Sequence, residues 1–417
     1  MNLRKKSRLS RKITEGVLFF LLFSLCFAFF AFSGEDFSLH LNLGVAYYNE
    51  AQYEKAKEEF KKALEINPDS FEAHYNLLLI YLATGDFTSA EAEAKACLKL
   101  NGTYPELHFQ LGNIYFYKKL YSKAEAEYRE ELEKDPDHIP SLYNLSKVLQ
   151  LQGRFKEAEV FLEKVKEINP DFPIVYADLG EVYFKQEKLE RAKECLEEAI
   201  KKDPTNASSY IYLERIYQKK GNYQEARKII CKAAEIFPDN FYINLEAGYI
   251  YLKLEKFSQA SLYLEKAVGI NPDDLFARYY LGYCYARLKR VDDAISQYEF
   301  ILTKREKFED VYFCLGNLYY EKKDLQKACY FYLKELKVNP ENPHALFNLA
   351  TIYFEKGNLD KAESTLKKFL EIFPNDYSAH TLMGDIYMKK GIYDKAIEEY
   401  EKAKSLKDEQ FQGEVSS

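Results

Sequence analysis

A chain of 417 residues with 30% charged and 16% aromatic side chains, but only 17 glycines and 12 prolines, has a folded helical composition and not a disordered one. Its net charge of −7 is unevenly placed: residues 1–16 carry +5, residues 17–33 carry none, and residues 34–417 therefore carry −12. An acidic body repels phosphate backbones, which argues against nucleic acid as a ligand.

The chain opens with a basic head (Arg4, Lys5, Lys6, Arg8, Arg11 and Lys12 against Glu15), followed at 17–32 by VLFFLLFSLCFAFFAF. This is the layout of an export signal, with the basic end on the cytoplasmic side. Two readings stand. Sixteen residues of helix span roughly 24 Å against a hydrocarbon core of roughly 30 Å, and Ala31 and Ser33 supply the small residues that precede signal cleavage, here before Gly34. The run is nevertheless slightly longer than a usual signal core, and bilayer thinning accommodates such a mismatch, which fits a retained single-pass anchor. Either reading places the rest of the chain outside the cytoplasm, periplasmic or secreted after cleavage, or anchored at the envelope. Leu25 stands before Cys26 where a lipoprotein signal needs a small residue, so lipidation is not expected.

Beyond the apolar run one residue recurs. Ala56, Ala90, Ala124, Ala158, Ala192, Ala226, Ala260, Ala294, Ala328, Ala362 and Ala396 follow one another at intervals of 34 residues without a gap. A fixed period of this size marks a solenoid, in which each unit packs only on its neighbours. Counted from Phe37, eleven repeats run from 37–70 to 377–410, and 411–417 remain as a short tail. Apolar residues at i, i+3, i+4 and i+7 predict two amphipathic helices per repeat. Gly85, Gly153, Gly221 and Gly357 are placed to end first helices, and prolines such as Pro68, Pro136, Pro204 and Pro340 to separate one repeat from the next.

Small residues recur in the first helix at Gly44, Gly112, Gly180, Gly248, Gly282, Gly316 and Gly384. Tyrosine follows three positions later, as at Tyr47, Tyr115, Tyr183 and Tyr319. With the alanine of the second helix and a large residue after it (Phe60, Tyr128, Leu162), this pattern resembles the tetratricopeptide repeat family over residues 37–410. The resemblance implies an all-α fold, a right-handed superhelical α-solenoid of antiparallel helix pairs that acts by binding other proteins. The physics agrees: small residues at facing positions let two helices approach, and tyrosine fills the wedge they leave. Departures are local. Leu78 and Glu214 replace the small residue, Gly102, Glu306 and Asp408 stand where proline is usual, and Glu131 and Glu335 replace a small apolar residue. Altered packing is expected at repeats 2 and 6.

In the family, the second, fifth, sixth, ninth and thirteenth positions of each repeat tend to line a groove. The fifth carries Tyr75, Phe109 and Tyr143 in repeats 2 to 4 and Tyr279, Phe313 and Phe347 in repeats 8 to 10. Asn76, Asn113, Asn144, Asn317 and Asn348 recur beside these rings. Aromatic rings offer contact area at low entropy cost, and an amide pairs with both groups of an extended backbone. Two partner-binding stretches separated by a more charged middle are therefore expected, although rings on a helix stripe equally serve as packing. The family's clamp for a terminal carboxylate is not expected, because Phe109, Ile174 and Asp178 occupy its basic positions.

His40, His74, His108 and His380 share the fourth position of their repeats. Helices 8–10 Å apart cannot bring such a row within about 2.1 Å of one zinc, so packing is the better reading and no metal or other cofactor is expected. Cys97, Cys195, Cys231, Cys284, Cys314 and Cys329 form no CxxC, and only Cys314 and Cys329, in one repeat, have plausible reach for a disulfide. No P-loop, HExxH or GxSxG is present, so the chain is not expected to be an enzyme. Asn101-Gly102-Thr103 matches a glycosylation sequon of the kind that arises by chance. Ile397, Tyr400 and Leu406 are expected to be partly uncovered at the last repeat, a place for a self-copy or partner to dock. Two functions follow: a non-enzymatic interaction scaffold at the cell envelope, or a recognition or regulatory subunit of a separately encoded enzyme or export machine.

Overall fold

A computed structural model describes residues 36–308 and 310–415. The basic head and apolar run lie outside the described residues. Among those described there are 22 helices and no strand, beginning with a helix at 36–49 and ending with Tyr393–Val415. Each repeat is a helical hairpin, so the chain is an all-α solenoid. It divides into two compact units, Met1–Ser209 and Tyr210–Ser417. The division falls inside Ala207–Lys219, the first helix of repeat 6.

The turn inside every hairpin is built the same way. Residues 51, 85, 119, 153, 187, 221, 255, 289, 323, 357 and 391 all have positive φ, between 55° and 75°. Past each left-handed residue the next N–H reaches back to the end of the first helix, as Asp86 does to Tyr81 at 2.9 Å and Leu120 to Tyr115 at 2.8 Å. Only five of these positions are glycine. At the others a side chain sits in a conformation that costs an L-residue roughly 1–2 kcal/mol, partly offset by the chain entropy glycine would lose. Lys119→Gly is therefore expected to stabilise the first unit by roughly 0.5–1 kcal/mol, read as a higher urea midpoint. An unchanged or lower midpoint would count against this account of the turn.

The hairpin core is a match of small against large. All eleven ladder alanines have no exposed surface. A Cβ built on Gly112 would lie 2.6 Å from Tyr128 Cε1, and one on Gly248 would lie 2.5 Å from Leu264 Cγ. The two helices are thus as close as glycine permits. Repeat 2 reverses the arrangement: Leu78 takes the small position and Ala94 the large one, and both are fully buried. Its altered packing is an exchange of sizes that keeps the summed volume.

In repeats 1, 2, 3, 8 and 11 the fourth-position residue pins the hairpin together. Nδ1 of His40, His74 and His108 lies 2.6, 2.6 and 2.8 Å from Glu59, Glu93 and Glu127, each on the second helix of the same repeat. His74 Nε2 lies 2.9 Å from the Pro68 carbonyl, and His380 repeats both contacts with Glu399 and Pro374. Arg278 makes the same two reaches, to Gln297 and to the Pro272 carbonyl. The histidine row is a series of separate staples between helices and turns.

Adjacent repeats within each unit are tied by the recurrent tyrosine. Tyr183 donates to Glu163 at 2.7 Å, Tyr285 to Glu265 at 2.8 Å and Tyr319 to Glu299 at 2.9 Å, each on the preceding second helix. The wedge residue is therefore also a hydrogen-bond donor across the repeat boundary. The last second helix runs 23 residues to Val415, past the point where the repeat pattern ends. Tyr393 and Ile397 on it are 62% and 55% exposed, while Tyr400 is half-buried and donates to Asp385 at 2.7 Å. No described helix is long and apolar enough to cross a membrane.

Candidate functional site

First helices of neighbouring repeats lie against one another, Leu107–Tyr117 against Ile139–Leu151 and Pro343–Glu355 against Tyr377–Lys390 among them. Side chains 31 residues apart join across these seams. In the first unit Asn144 Nδ2 donates to Asn113 Oδ1 at 2.8 Å, and Lys147 pairs with Asp178 at 2.6 Å. In the second unit Arg215 pairs with Glu246, the rings of Tyr249 and Tyr280 meet at 5.5 Å, and Asn348 Nδ2 donates to Asn317 Oδ1 at 3.1 Å. The rungs are thus amide at two places, with ionic and aromatic ones between.

Both amide rungs are anchored from beneath. Tyr128 OH donates to Asn113 Oδ1 at 2.7 Å, and Tyr332 OH to Asn317 Oδ1 at 2.6 Å. These tyrosines come from the second helix and are fully buried, and burial holds their hydroxyls protonated well above the usual phenol range. They belong to the glycine–tyrosine packing described above, so the closeness of the two helices is what delivers the hydroxyl to the amide. Each accepting carbonyl is then filled by two donors. What stays without a protein partner among the described residues is Nδ2 of Asn113 and Asn317 and Oδ1 of Asn144 and Asn348, on half-buried side chains. One donor and one acceptor side by side match one peptide unit of an extended strand. Asn76 is different: its Nδ2 donates to the Glu72 carbonyl of its own helix at 2.7 Å.

The six rings are half-buried and packed on other rings. Tyr75 lies 5.8 Å from Phe71 and 5.1 Å from Tyr104, Phe109 lies 5.2 Å from His138, and Tyr143 lies 5.7 Å from Phe172. Tyr279 lies 6.0 Å from Phe308, Phe313 lies 6.1 Å from Tyr332, and Phe347 lies 5.7 Å from Phe369. They wall the amide rungs without standing free.

Two buried carboxylates complete the surroundings. Glu131 accepts from the backbone N–H of Glu106 at 3.1 Å and of Phe109 at 3.2 Å, capping the first helix of repeat 3 from below. Glu335 stands at the same position of repeat 9, where Asn342 donates to it at 2.9 Å and burial raises its pKa. The two helices above them, Leu107–Tyr117 and Val311–Glu321, have 11 residues where the other first helices have 13 or 14. Both follow turns in which another residue, Gly102 or Glu306, takes the position where proline is usual, although Pro105 stands later in the first of these turns. Sequence reasoning noted the departures singly and missed the anchoring tyrosines and the turn rings Tyr104 and Phe308. Their common spacing in the chain was the available signal.

Sequence models of the tetratricopeptide repeat match residues 38–70, 59–92, 79–139, 115–179, 149–215, 183–247, 245–307, 319–383 and 377–409. The chain belongs to the tetratricopeptide repeat (TPR) family. No curated protein sequence matches it. Among solved structures it is similar to YrrB, described as a TPR protein with an unusual peptide-binding site, at 28% identity over 44% of this chain and 95% of that one, with a TM-score of 0.43. A TPR protein from Parabacteroides merdae matches at 16% identity over 60% and 98%, TM-score 0.46. The C-terminal part of a TPR protein from Cytophaga hutchinsonii matches at 15% over 58% and 99%, TM-score 0.49.

As a TPR array the chain is a protein–protein interaction scaffold whose partners are proteins or peptides. Asp178 is buried and taken up by Lys147. Cys314 and Cys329 are both free thiols, and burial pushes the Cys314 thiol up to about 11. Among the described residues no group of His, Cys, Asp and Glu is arranged to hold a metal ion.

Proposed function

We propose that this TPR scaffold captures extended polypeptide segments through its amide rungs. The observation that carries the reading is the donor and acceptor left over at Asn113–Asn144 and at Asn317–Asn348, each fixed by an internal hydrogen bond. A fixed amide pair forms two hydrogen bonds to a strand without first losing side-chain entropy. The half-buried rings beside it supply apolar contact to side chains of the strand. The scaffold is proposed to be non-enzymatic and to work outside the cytoplasm, exported or held at the cell envelope by residues 17–33, with membrane contact limited to that segment. The exposed Tyr393 and Ile397 support docking at the last repeat, by a partner or a second copy.

Asn113→Asp and Asn317→Asp together test the peptide reading. Each aspartate keeps the oxygen that accepts from the buried tyrosine and from the next amide, but lacks the outward N–H. Selection of a phage-displayed random dodecapeptide library on the full chain should enrich binders on the wild type and lose them on the double variant. Tyr128→Phe, which leaves the outward amide, should retain them. The reading fails if the wild type enriches nothing or if the double variant enriches the same sequences equally well. Circular dichroism melts of each variant separate lost binding from lost fold.

A further inference from the structure

We propose that the chain carries one peptide-binding module twice, and so holds two copies of the same segment, one in each compact unit. This rests on the peptide reading above and adds the number of sites and the sameness of their ligand. The amide rungs Asn113–Asn144 and Asn317–Asn348 lie six repeats apart, 204 residues along the chain. A rung alone could recur by chance, but its surroundings recur with it.

At that same offset Tyr104 and Phe308 occupy turns in which Gly102 and Glu306 replace the usual proline, and each ring folds back onto the first helix of its own repeat, at 5.1 Å from Tyr75 and 6.0 Å from Tyr279. The first helix that follows is short in both cases, 11 residues. Glu131 and Glu335, also 204 residues apart, are 4% and 1% exposed on the second helix of each of these repeats. Each departure is unfavourable by itself. Without proline at that position the turn loses one preset dihedral, and burying a carboxylate costs its hydration. Their joint return in the same order, around the same leftover donor and acceptor, marks a unit and not scattered variation.

Because the polar contact is the same in both copies, both take the same backbone chemistry. The rings differ by one hydroxyl at two places, Tyr143 against Phe347 and Tyr104 against Phe308, so both walls are aromatic and of similar size. The −12 carried by residues 34–417 favours a segment that is neutral to basic. The occupant is thus an extended, non-acidic polypeptide strand, present twice per chain.

The test uses a dodecapeptide selected on the wild-type full chain, made synthetically and titrated calorimetrically into wild type, Asn113→Asp, Asn317→Asp and the double variant. Two equivalents are expected for the wild type, one for each single variant, and at least about a tenfold weakening of all binding for the double variant. A wild-type stoichiometry of one, abolished by one substitution and untouched by the other, overturns the duplication while the peptide reading survives at the remaining rung. Undiminished binding to the double variant overturns both. Thermal melts of the same samples confirm that each variant is folded.

Discussion

Inverting the sizes of Gly248 and Leu264 is expected to cost far less than either change alone. A Cβ on Gly248 would stand 2.5 Å from Leu264 Cγ and 2.8 Å from its Cδ2, so Gly248→Leu drives a whole side chain into a filled position. Overpacking of this kind costs about 3 kcal/mol or more. Leu264 is fully buried, and Leu264→Ala opens a cavity worth about 2–5 kcal/mol. The double variant reproduces what repeat 2 already does with Leu78 and Ala94, both fully buried. Its loss should fall short of the summed single losses by about 2 kcal/mol, in the range found for residues in contact. Urea unfolding of the four proteins gives the coupling. Additive losses would mean that the helices at repeat 7 do not meet through this pair.

Ionisation of Glu214 is expected to give the second unit a stability that falls with rising pH. This glutamate stands where most repeats have glycine, has no exposed surface, and accepts one hydrogen bond from Gln218. Its other oxygen has no protein partner. Burial, reinforced by the negative charge of Glu246, lifts its pKa from 4.5 to about 8. Between those two values the folded chain keeps a proton that the unfolded chain has released. The contribution is therefore fully present below pH 4.5 and lost as pH climbs through 8, a fall of roughly 5 kcal/mol. Glu214→Gln keeps the shape and removes the titration. Its advantage over the wild type should be small at pH 5 and should approach roughly 4–5 kcal/mol at pH 9, measured by chemical denaturation. An equal difference at both pH values would place the titrating group elsewhere.

Much of the architecture was legible in the chain because a repeat protein writes each constraint eleven times. Glycine, tyrosine and alanine return at fixed places, and helices must be close there in every copy. The left-handed turn was legible only where glycine marks it. Lys119, Glu187 and Lys323 adopt the same φ, since the hairpin geometry imposes it whatever the residue. The histidine row invited a shared site, yet each ring is taken up by a glutamate 19 residues on, a distance that only the folding of the hairpin shortens. The groove asparagines were found by register, but their use was not. That Asn113 spends its carbonyl inwardly, on Tyr128 and Asn144, depends on two contacts that are remote in sequence.

The sequence by itself determined the repeat, its period, the two helices of each unit and the residues that let them touch, because these are local patterns repeated in register. The tertiary structure alone decided which polar groups remain for a partner. A side chain offers a ligand only the hydrogen bonds that its neighbours have not already taken, and those neighbours arrive from another helix or the next repeat.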